Sequence, residues 1–145
     1  MQIQQIFSEQ GLRCTQQRKS VYRALVSSHA HPTADELHRT VILANPGISL
    51  ATVYNTLEAF CRAGLTLKLP GTGTNGSARF DAARDNHLHA RCRRTGALAD
   101  VPAEFSKQIL GNISPNILKQ IEKQLGFSIE QVHIELLGQY QKPSP

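Results

Sequence analysis

Apolar residues recur at helical spacing in three segments of the first half of the chain, and each segment follows a residue that can cap a helix. Thr15 precedes a segment with apolar residues four apart, so a helix is predicted to begin there. Thr33 and Glu36 have the spacing of a capping box, which predicts a second helix that ends by residues 45–47, Asn-Pro-Gly. The apolar stripe of this second helix consists of Ala34, Leu37, Val41 and Ala44.

A third helix is predicted between Ser49, as its cap, and Gly64, a glycine placed to take the left-handed conformation that ends a helix. Its apolar face carries Leu50, Val53, Leu57, Phe60 and Cys61, and its polar face carries Tyr54, Asn55, Glu58 and Arg62. After Gly64 the residues alternate, which predicts strands over 65–69 and 78–82 joined by the glycine-rich loop 70–77. A winged helix has this order of elements, helices followed by a hairpin. A helical bundle with an added hairpin would have the same order.

The second half of the chain combines short strands with one clear helix. Residues 87–92 and 97–101 flank a turn over 93–96 and predict a second hairpin. Ser114, Pro115 and Gly126 have the positions of a cap, a first helical residue and a stop, so a single helix is expected between them. Residues 130–136 alternate and predict a final strand. So small a core favours dimerisation, because about 60 residues alone are marginally stable.

Composition narrows the classes of protein that fit this pattern. The 145 residues are 40% hydrophobic and 19% charged, which is typical of a soluble globular protein. No apolar run reaches the about 18 residues of a membrane span, and the first residues lack the features of a signal peptide, so a cytoplasmic protein without a membrane partner is expected. The net charge of +5 favours polyanions such as nucleic acid without assigning DNA binding by itself. Cys14, Cys61 and Cys92 form no Cys-x-x-Cys pair, so neither a disulfide framework nor a cysteine-rich zinc site is predicted.

Residues that can bind a metal are concentrated between positions 79 and 100. His87 and His89 lie two apart, so on a strand both imidazoles project from the same face. Asp81 ends the preceding strand and Asp100 lies on the partner strand across the turn, so both carboxylates could converge on the same point. Imidazole and carboxylate donors without thiolate suit Fe(II) or Mn(II).

The pattern alone leaves other interpretations open. The same side chains could line an ordinary polar strand, and a second pair, His29 and His31, could donate a ligand or simply lie in a loop. Two histidines and one carboxylate also form the facial triad of non-haem iron oxygenases. The chain offers no second lobe large enough for an organic substrate, so an enzyme is not expected. A thiol switch built on the three cysteines is a further alternative.

Six stretches, taken in order and with their spacing, resemble the ferric uptake regulator (Fur) family of metal-dependent repressors. They are GLRCTQQR, HPTADELH, SLATVYNTLEAFCRAGL, ARFD, HLHARC and TGALAD, and the likeness runs from Gly11 to about Gly138. The resemblance implies an α+β fold: an N-terminal winged-helix DNA-binding domain over residues 1–83, followed by a small α/β dimerisation and metal-binding domain over residues 84–145.

The resemblance also implies a regulatory metal site for Fe(II) or Mn(II). The implied ligands are His31, Asp81, His87, His89 and Asp100. Aspartate at positions 81 and 100 is similar to the peroxide-sensing branch of the family (PerR), in which Fe(II) catalyses oxidation of a histidine ligand, here His31 or His87. The alternative is an iron-responsive repressor without peroxide sensing. Leu88 stands where the iron-uptake branch often has an acidic residue, which implies that a second metal site is lost there.

For DNA, the resemblance implies contacts from Arg13, Arg18, Tyr54 and Asn55, and a homodimer on a palindromic, A·T-rich double-stranded operator. The chain departs from the family at the structural zinc, which needs two Cys-x-x-Cys pairs. The first is reduced to Cys92-Arg-Arg-Thr95, and the second is missing. A structural zinc is therefore not expected. The dimer is predicted to rest on apolar packing, with Cys92 buried and inert.

Overall fold

The computed structural model of the protein describes residues 2–28, 30–71, 76–82 and 87–141. It divides into two compact units, Met1–Arg84 and Asp85–Pro145. The predicted domain boundary between residues 83 and 84 lies outside the described residues. Helices and small sheets together confirm the α+β class. Within the described ranges, no helix has both the length and the apolar character needed to cross a membrane.

The described residues of the first unit form four helices and two strands. They are α1 (Ile3–Glu9), α2 (Gln16–Ser27), α3 (Ala34–Val41), α4 (Leu50–Arg62), β1 (Leu67–Leu69) and β2 (Arg79–Asp81). The two strands pair antiparallel, with Leu67 opposite Asp81. The order of α2, α3, α4 and a hairpin is that of the predicted winged helix, and residues 72–75 of the predicted loop lie outside the described residues.

The three predicted helix starts in this unit are confirmed by the cap geometry. The hydroxyls of Thr15, Thr33 and Ser49 each accept a hydrogen bond from the backbone N–H three residues later, at 3.1 to 3.2 Å. Glu36 completes the capping box by accepting from the Thr33 N–H at 2.8 Å. Gly64 follows α4 with φ +71°, the left-handed conformation predicted for it.

The core of the first unit contains three aromatic rings that pack edge-to-face or tilted against one another. Phe7, Tyr22 and Phe60 have ring centroids 5.5 to 5.7 Å apart, close enough for favourable aromatic packing. The sequence did not predict α1, because its N-cap residue Gln2 makes no side-chain cap bond. Packing of Phe7 in this aromatic cluster accounts for the helix instead. Short and uncapped, α1 depends on burial of Ile6 and Phe7.

The prediction for Ala44 is wrong. Helix α3 ends at Val41, and the N–H groups of Ala44 and Asn45 both bond to the Val41 carbonyl in a tight turn. Pro46 disfavours helical backbone at Asn45 and so keeps the helix from continuing, and the turn on the Val41 carbonyl ends it before Ala44. Ala44 is therefore exposed rather than part of the buried stripe.

Over residues 87–141, the part of it that the structure describes, the second unit has three strands and two helices. They are β3 (His89–Cys92), β4 (Leu98–Asp100), α5 (Ala103–Gly111), α6 (Pro115–Leu125) and β5 (Glu135–Gly138). The sheet order is β4-β3-β5, with β4 antiparallel and β5 parallel to β3. The predicted hairpin is confirmed, as is the helix between Ser114, whose hydroxyl caps it, and Gly126, which ends it at φ +61°.

Two predictions for the second unit are wrong. The final strand begins at Glu135 rather than at residue 130, because β3 offers only four ladder positions, from His89 opposite Glu135 to Cys92 opposite Gly138. The unit also has a second helix, α5. It follows Pro102, which provides no side-chain cap, and the residue it buries is Ser106 rather than an apolar one. Neither a cap signal nor an apolar stripe marks α5 in the sequence.

Candidate metal centre

His31 and Asp81 are the predicted metal ligands that lie in the first unit. His31 precedes α3 with φ +47°, a conformation uncommon outside glycine. Arg79 Nη1 donates to the His31 carbonyl oxygen at 2.9 Å, and the Phe80 N–H donates to the Pro32 carbonyl oxygen at 3.0 Å, so strand β2 holds this loop. Asp81 ends the same strand, and its Oδ2 lies 3.8 Å from His31 Nε2. Both side chains are buried.

His87, His89 and Asp100 are the predicted ligands in the second unit. The antiparallel register of β3 and β4 places His89 directly opposite Asp100, while His87 lies on the same side as His89 two residues earlier. His87 Nε2 lies 3.1 Å from His89 Nε2 and 3.2 Å from Asp100 Oδ1, and His89 Nε2 lies 3.4 Å from that same oxygen. The His89 side chain is fully buried, whereas that of Asp100 is 53% exposed.

These three donor atoms have the mutual spacing of ligands that share one ion. With bonds of about 2.1 Å, ligand atoms lie roughly 3.0 Å apart in an octahedron and roughly 3.4 Å apart in a tetrahedron. The observed separations of 3.1, 3.2 and 3.4 Å fall within that interval. Two imidazole nitrogens and one carboxylate oxygen match Fe(II) or Mn(II) chemically. The second unit thus fits a divalent metal on one face of its sheet.

Two charged pairs near these residues were not predicted from the sequence. Arg79, which holds the His31 loop, also lies 3.5 Å from Glu36 Oε2. Arg91 follows His89 on the same face of β3, and its Nε donates to Glu135 Oε1 at 2.9 Å. Arg79 and Arg91 each stand two residues from a predicted ligand, so strand alternation was a signal that could have found them. His29, the other member of the first histidine pair, lies outside the described residues.

The four predicted DNA-contacting residues lie in the first unit. Tyr54 and Asn55 are exposed on α4, and the Tyr54 hydroxyl donates to Asp35 Oδ2 at 3.2 Å. Partial burial, and then the nearby Asp35 carboxylate, raise the pKa of Tyr54, so its phenol is neutral at physiological pH. At the start of α2, exposed Arg13 accepts a hydrogen bond at its carbonyl oxygen from Arg18 Nη1 at 3.2 Å. Of the four residues, Tyr54 and Asn55 are thus neighbours on α4, and Arg13 and Arg18 are joined by a hydrogen bond.

Cys92 is buried, as the sequence predicted. Hydrogen bonds from the Thr95 hydroxyl and from the backbone at Tyr140 and Thr95 lower the pKa of its thiol to about 6. Thr95 occupies the place of the missing second cysteine. The environment of Cys92 therefore favours the thiolate without supplying a second sulfur ligand.

Comparison with known proteins decides the family. The sequence model described as the ferric uptake regulator family matches residues 9–137. The chain belongs to the ferric uptake regulator family. This Fur-family chain is 42% identical over 90 residues to the peroxide-responsive repressor PerR of Staphylococcus epidermidis, an alignment that covers 62% of the chain and 59% of that relative. It is also 42% identical to the PerR of Staphylococcus aureus strain Mu50, over 62% of the chain and 60% of that relative.

Solved structures of Fur-family regulators share the fold over nearly the whole chain. The ferric uptake regulator from Pseudomonas aeruginosa with manganese matches with a TM-score of 0.72 and 26% identity, covering 98% of this chain and 100% of that one. The Campylobacter jejuni peroxide stress regulator matches with a TM-score of 0.68 and 25% identity, covering 99% and 100%. Similarity to the curated repressors is thus confined to about 60% of their length, whereas the structural similarity extends across the chain.

Proposed function

We propose that this Fur-family chain is a metal-dependent DNA-binding transcriptional repressor that senses peroxide through Fe(II)-catalysed oxidation of a histidine. The observation that carries the proposal is the cluster of His87 Nε2, His89 Nε2 and Asp100 Oδ1 within 3.1 to 3.4 Å of one another. Similarity to repressors named as peroxide-responsive supports the sensing role. On this proposal the protein regulates transcription and is not an enzyme.

His31 and Asp81 from the first unit and His87, His89 and Asp100 from the second would hold one ion together. Bound by residues of both units, Fe(II) or Mn(II) would favour the arrangement of the units that binds DNA, because a ligand shifts an equilibrium toward the state it binds better. Metal binding should weaken as pH falls through the histidine range, since a protonated imidazole cannot ligate.

Peroxide sensing requires a covalent change in a ligand. Bound Fe(II) supplies the redox chemistry that cleaves hydrogen peroxide, which Mn(II) does not readily supply. In the net reaction one peroxide oxygen would insert into the C–H bond of an imidazole carbon of His31 or His87, with the hydrogen kept on the product as O–H or N–H. The other oxygen would leave as water with both peroxide hydrogens. The oxidised ring binds metal poorly, so the protein should release DNA.

DNA contact would come from four residues of the first unit, of which Arg13, Tyr54 and Asn55 are exposed and Arg18 is half-buried. Tyr54 on α4 would contact thymine methyl groups in the major groove, with Asn55 beside it bonding to a base or a phosphate. Arg13 would reach the minor groove, and Arg18 would make a phosphate or a structural contact. A homodimer would place two such surfaces on a palindromic, A·T-rich operator. We expect apolar residues of the second unit to hold this dimer without a structural zinc, because Cys92 has a threonine at the partner position of its Cys-x-x-Cys motif.

The first experiment tests coupling between metal and DNA. Duplexes selected from a random pool by the Mn(II)-loaded protein are titrated with wild type and with Tyr54→Phe and Asn55→Ala variants, with and without Mn(II). We expect Mn(II) to increase the affinity of the wild type for DNA by about 5- to 150-fold. This corresponds to a coupling free energy between metal and DNA of about 1 to 3 kcal/mol. Equal affinity with and without metal would contradict the coupling.

The second experiment tests peroxide sensing. The protein is loaded with Fe(II) without oxygen, treated with a small excess of hydrogen peroxide, and mapped by peptide mass spectrometry. We expect one added oxygen on His31 or His87, and none in an Mn(II)-loaded sample. His38, which bonds to the Ile48 carbonyl oxygen, provides an internal control for unspecific oxidation. An unmodified protein that still needs iron to bind DNA would favour the iron-responsive alternative.

A further inference from the structure

Ser106 is a buried polar residue with no part in the proposed ligand set. It lies in the first turn of α5, and its side chain is completely buried. A buried serine in a helix commonly bonds back to the carbonyl oxygen four residues earlier. Here the hydroxyl bonds outside its helix. It accepts from the Leu88 N–H at 3.0 Å and donates to the Val101 carbonyl oxygen at 3.2 Å.

These two contacts join the segments that carry the second-unit ligands. Leu88 stands between His87 and His89, and Val101 directly follows Asp100. The Val101 N–H also donates to the Leu88 carbonyl oxygen at 2.8 Å, which continues the β3–β4 pairing one residue past the strand ends. The Ser106 hydroxyl therefore bridges the pair of residues next to all three donor side chains.

The orientation of Leu88 makes this bridge effective. Successive side chains of an extended segment point to opposite faces, so Leu88, which is buried, faces away from the two imidazoles. Rotation of the Leu88 peptide would move both histidines at once. The Leu88 N–H belongs to the peptide that joins Leu88 to His87, and the hydroxyl holds that peptide in place. Its second hydrogen bond, to the Val101 carbonyl oxygen, holds the peptide that follows Val101, one residue beyond Asp100.

From this geometry we infer that Ser106 is a positioning residue, whose hydroxyl holds His87, His89 and Asp100 at the mutual spacing required to bind a divalent metal ion. The inference rests on the proposed metal site. It assigns to α5 a chemical role that neither its length nor its sequence pattern indicated. Removing a group that hydrogen-bonds a metal ligand directly typically lowers metal affinity by about 10- to 100-fold. Because Ser106 acts through the backbone beside the ligands, we expect an effect at the lower end of that range.

The test measures Mn(II) binding to the full chain, with the electron paramagnetic resonance signal of the free ion as the readout. We expect Ser106→Ala to weaken Mn(II) binding about tenfold. Thr and Val have nearly the same size, but only Thr keeps the hydroxyl. We therefore expect Ser106→Thr to bind Mn(II) more tightly than Ser106→Val, and this pair carries the test if Ser106→Ala does not fold.

Ser114→Ala is the matched control for loss of stability. It removes another hydroxyl from the same unit, one that caps α6 through the Ile117 N–H. We expect it to lower the unfolding temperature and to leave Mn(II) affinity unchanged. In the metal-free protein, the Leu88 amide should exchange its hydrogen faster in Ser106→Ala than in wild type, because its acceptor is lost.

The outcomes separate this inference from the proposed function. Wild type that binds Mn(II), together with Ser106→Ala and Ser106→Val variants that bind it equally well, would overturn the positioning role alone. Equal loss of Mn(II) affinity in Ser106→Ala and Ser114→Ala would also overturn it, because general destabilisation would then suffice. If the wild type binds no Mn(II), the metal site and this inference are both wrong. The same holds if the His89→Ala variant binds Mn(II) as tightly as the wild type does.

Discussion

The two units of the chain differ in how they bury their apolar residues. Helix α4 of the first unit buries five residues, whereas α6 of the second unit, of similar length, buries none. Large apolar side chains exposed in the second unit are Phe105, Ile109, Ile117, Ile121, Leu125, Phe127, Leu136, Leu137 and Tyr140. Ile117, Ile121 and Leu125 lie four residues apart on α6 and so share one side of it, and an exposed apolar stripe of this kind is typical of an interaction site. The comparison indicates that the first unit carries its own core, whereas the second needs a partner surface, which the proposed homodimer would supply.

The largest effect is expected in the core of the first unit. Phe60 is fully buried against Phe7 and Tyr22, so Phe60→Ala should lower the free energy of unfolding by about 3–5 kcal/mol. Denaturant unfolding at fixed protein concentration measures the change. Val26→Ala, at a site 51% exposed, is the control and should change stability by less than about 0.5 kcal/mol. If Phe60→Ala lowered the free energy of unfolding only slightly, the first unit could not be said to carry a core of its own.

The next effect compares an ion pair from each unit. The Arg91–Glu135 pair is largely buried, with side chains 9% and 21% exposed, whereas Lys68 and Glu58 are 49% and 41% exposed. Glu135→Gln leaves a buried guanidinium facing a neutral amide and should cost up to about 3 kcal/mol. Glu58→Gln should cost less than about 1 kcal/mol, because water screens the exposed pair. Thermal unfolding of the metal-free variants measures both. Equal losses would show that burial does not separate the two pairs.

A smaller effect is expected on the surface of the second unit. Ile121 lies on the apolar side of α6, and Ile121→Asp should weaken the dimer by about 2 kcal/mol or more, roughly 30-fold in its dissociation constant. Analytical ultracentrifugation over a range of concentrations measures this. Asn116→Asp makes the same change of charge on the other side of the helix and should leave the dimer intact. Similar dissociation in the two variants would mean that charge, rather than lost apolar contact, weakens the dimer.

The last comparison concerns the thiols of the two units and the pH dependence of stability. Hydrogen bonds lower the pKa of Cys92 from 9.0 to about 6, whereas burial raises the pKa of Cys61. Because Cys92 deprotonates more readily in the folded than in the unfolded chain, its stabilising contribution is complete above about pH 9 and is lost as the pH falls to about 6. The stability difference between wild type and Cys92→Ser should therefore grow from pH 6 to pH 9.

Thermal unfolding across that pH range provides the measurement, with Cys61→Ser as the control. A raised pKa has the opposite sign, so the difference between wild type and Cys61→Ser should not grow over the same range. A flat profile for Cys92→Ser would show that the hydrogen bonds from Thr95 do not favour the thiolate.

Local signals in the sequence predicted the capped helices and the two hairpins well. Thr15, Thr33, Ser49 and Ser114 act through backbone groups three residues away, so their neighbours in sequence suffice to identify them. Helices α1 and α5 were missed because neither has a side-chain cap and both depend on packing against distant residues. The start of β5 was misplaced because the length of β3, rather than the pattern of β5, limits the ladder.

The candidate site divides in the same way. Alternation along one strand was enough to predict that His87 and His89 share a face, because that follows from local backbone geometry alone. The distances to Asp100, the ion pair between Arg91 and Glu135, and the bridge from Ser106 depend on contacts across 13, 44 and 18 residues of sequence. Long-range contacts of this kind follow from packing and strand register, which no local pattern encodes. The sequence by itself thus determines which donor groups are present and that His87 and His89 share a face. The distances between the donor atoms are determined only by the tertiary structure.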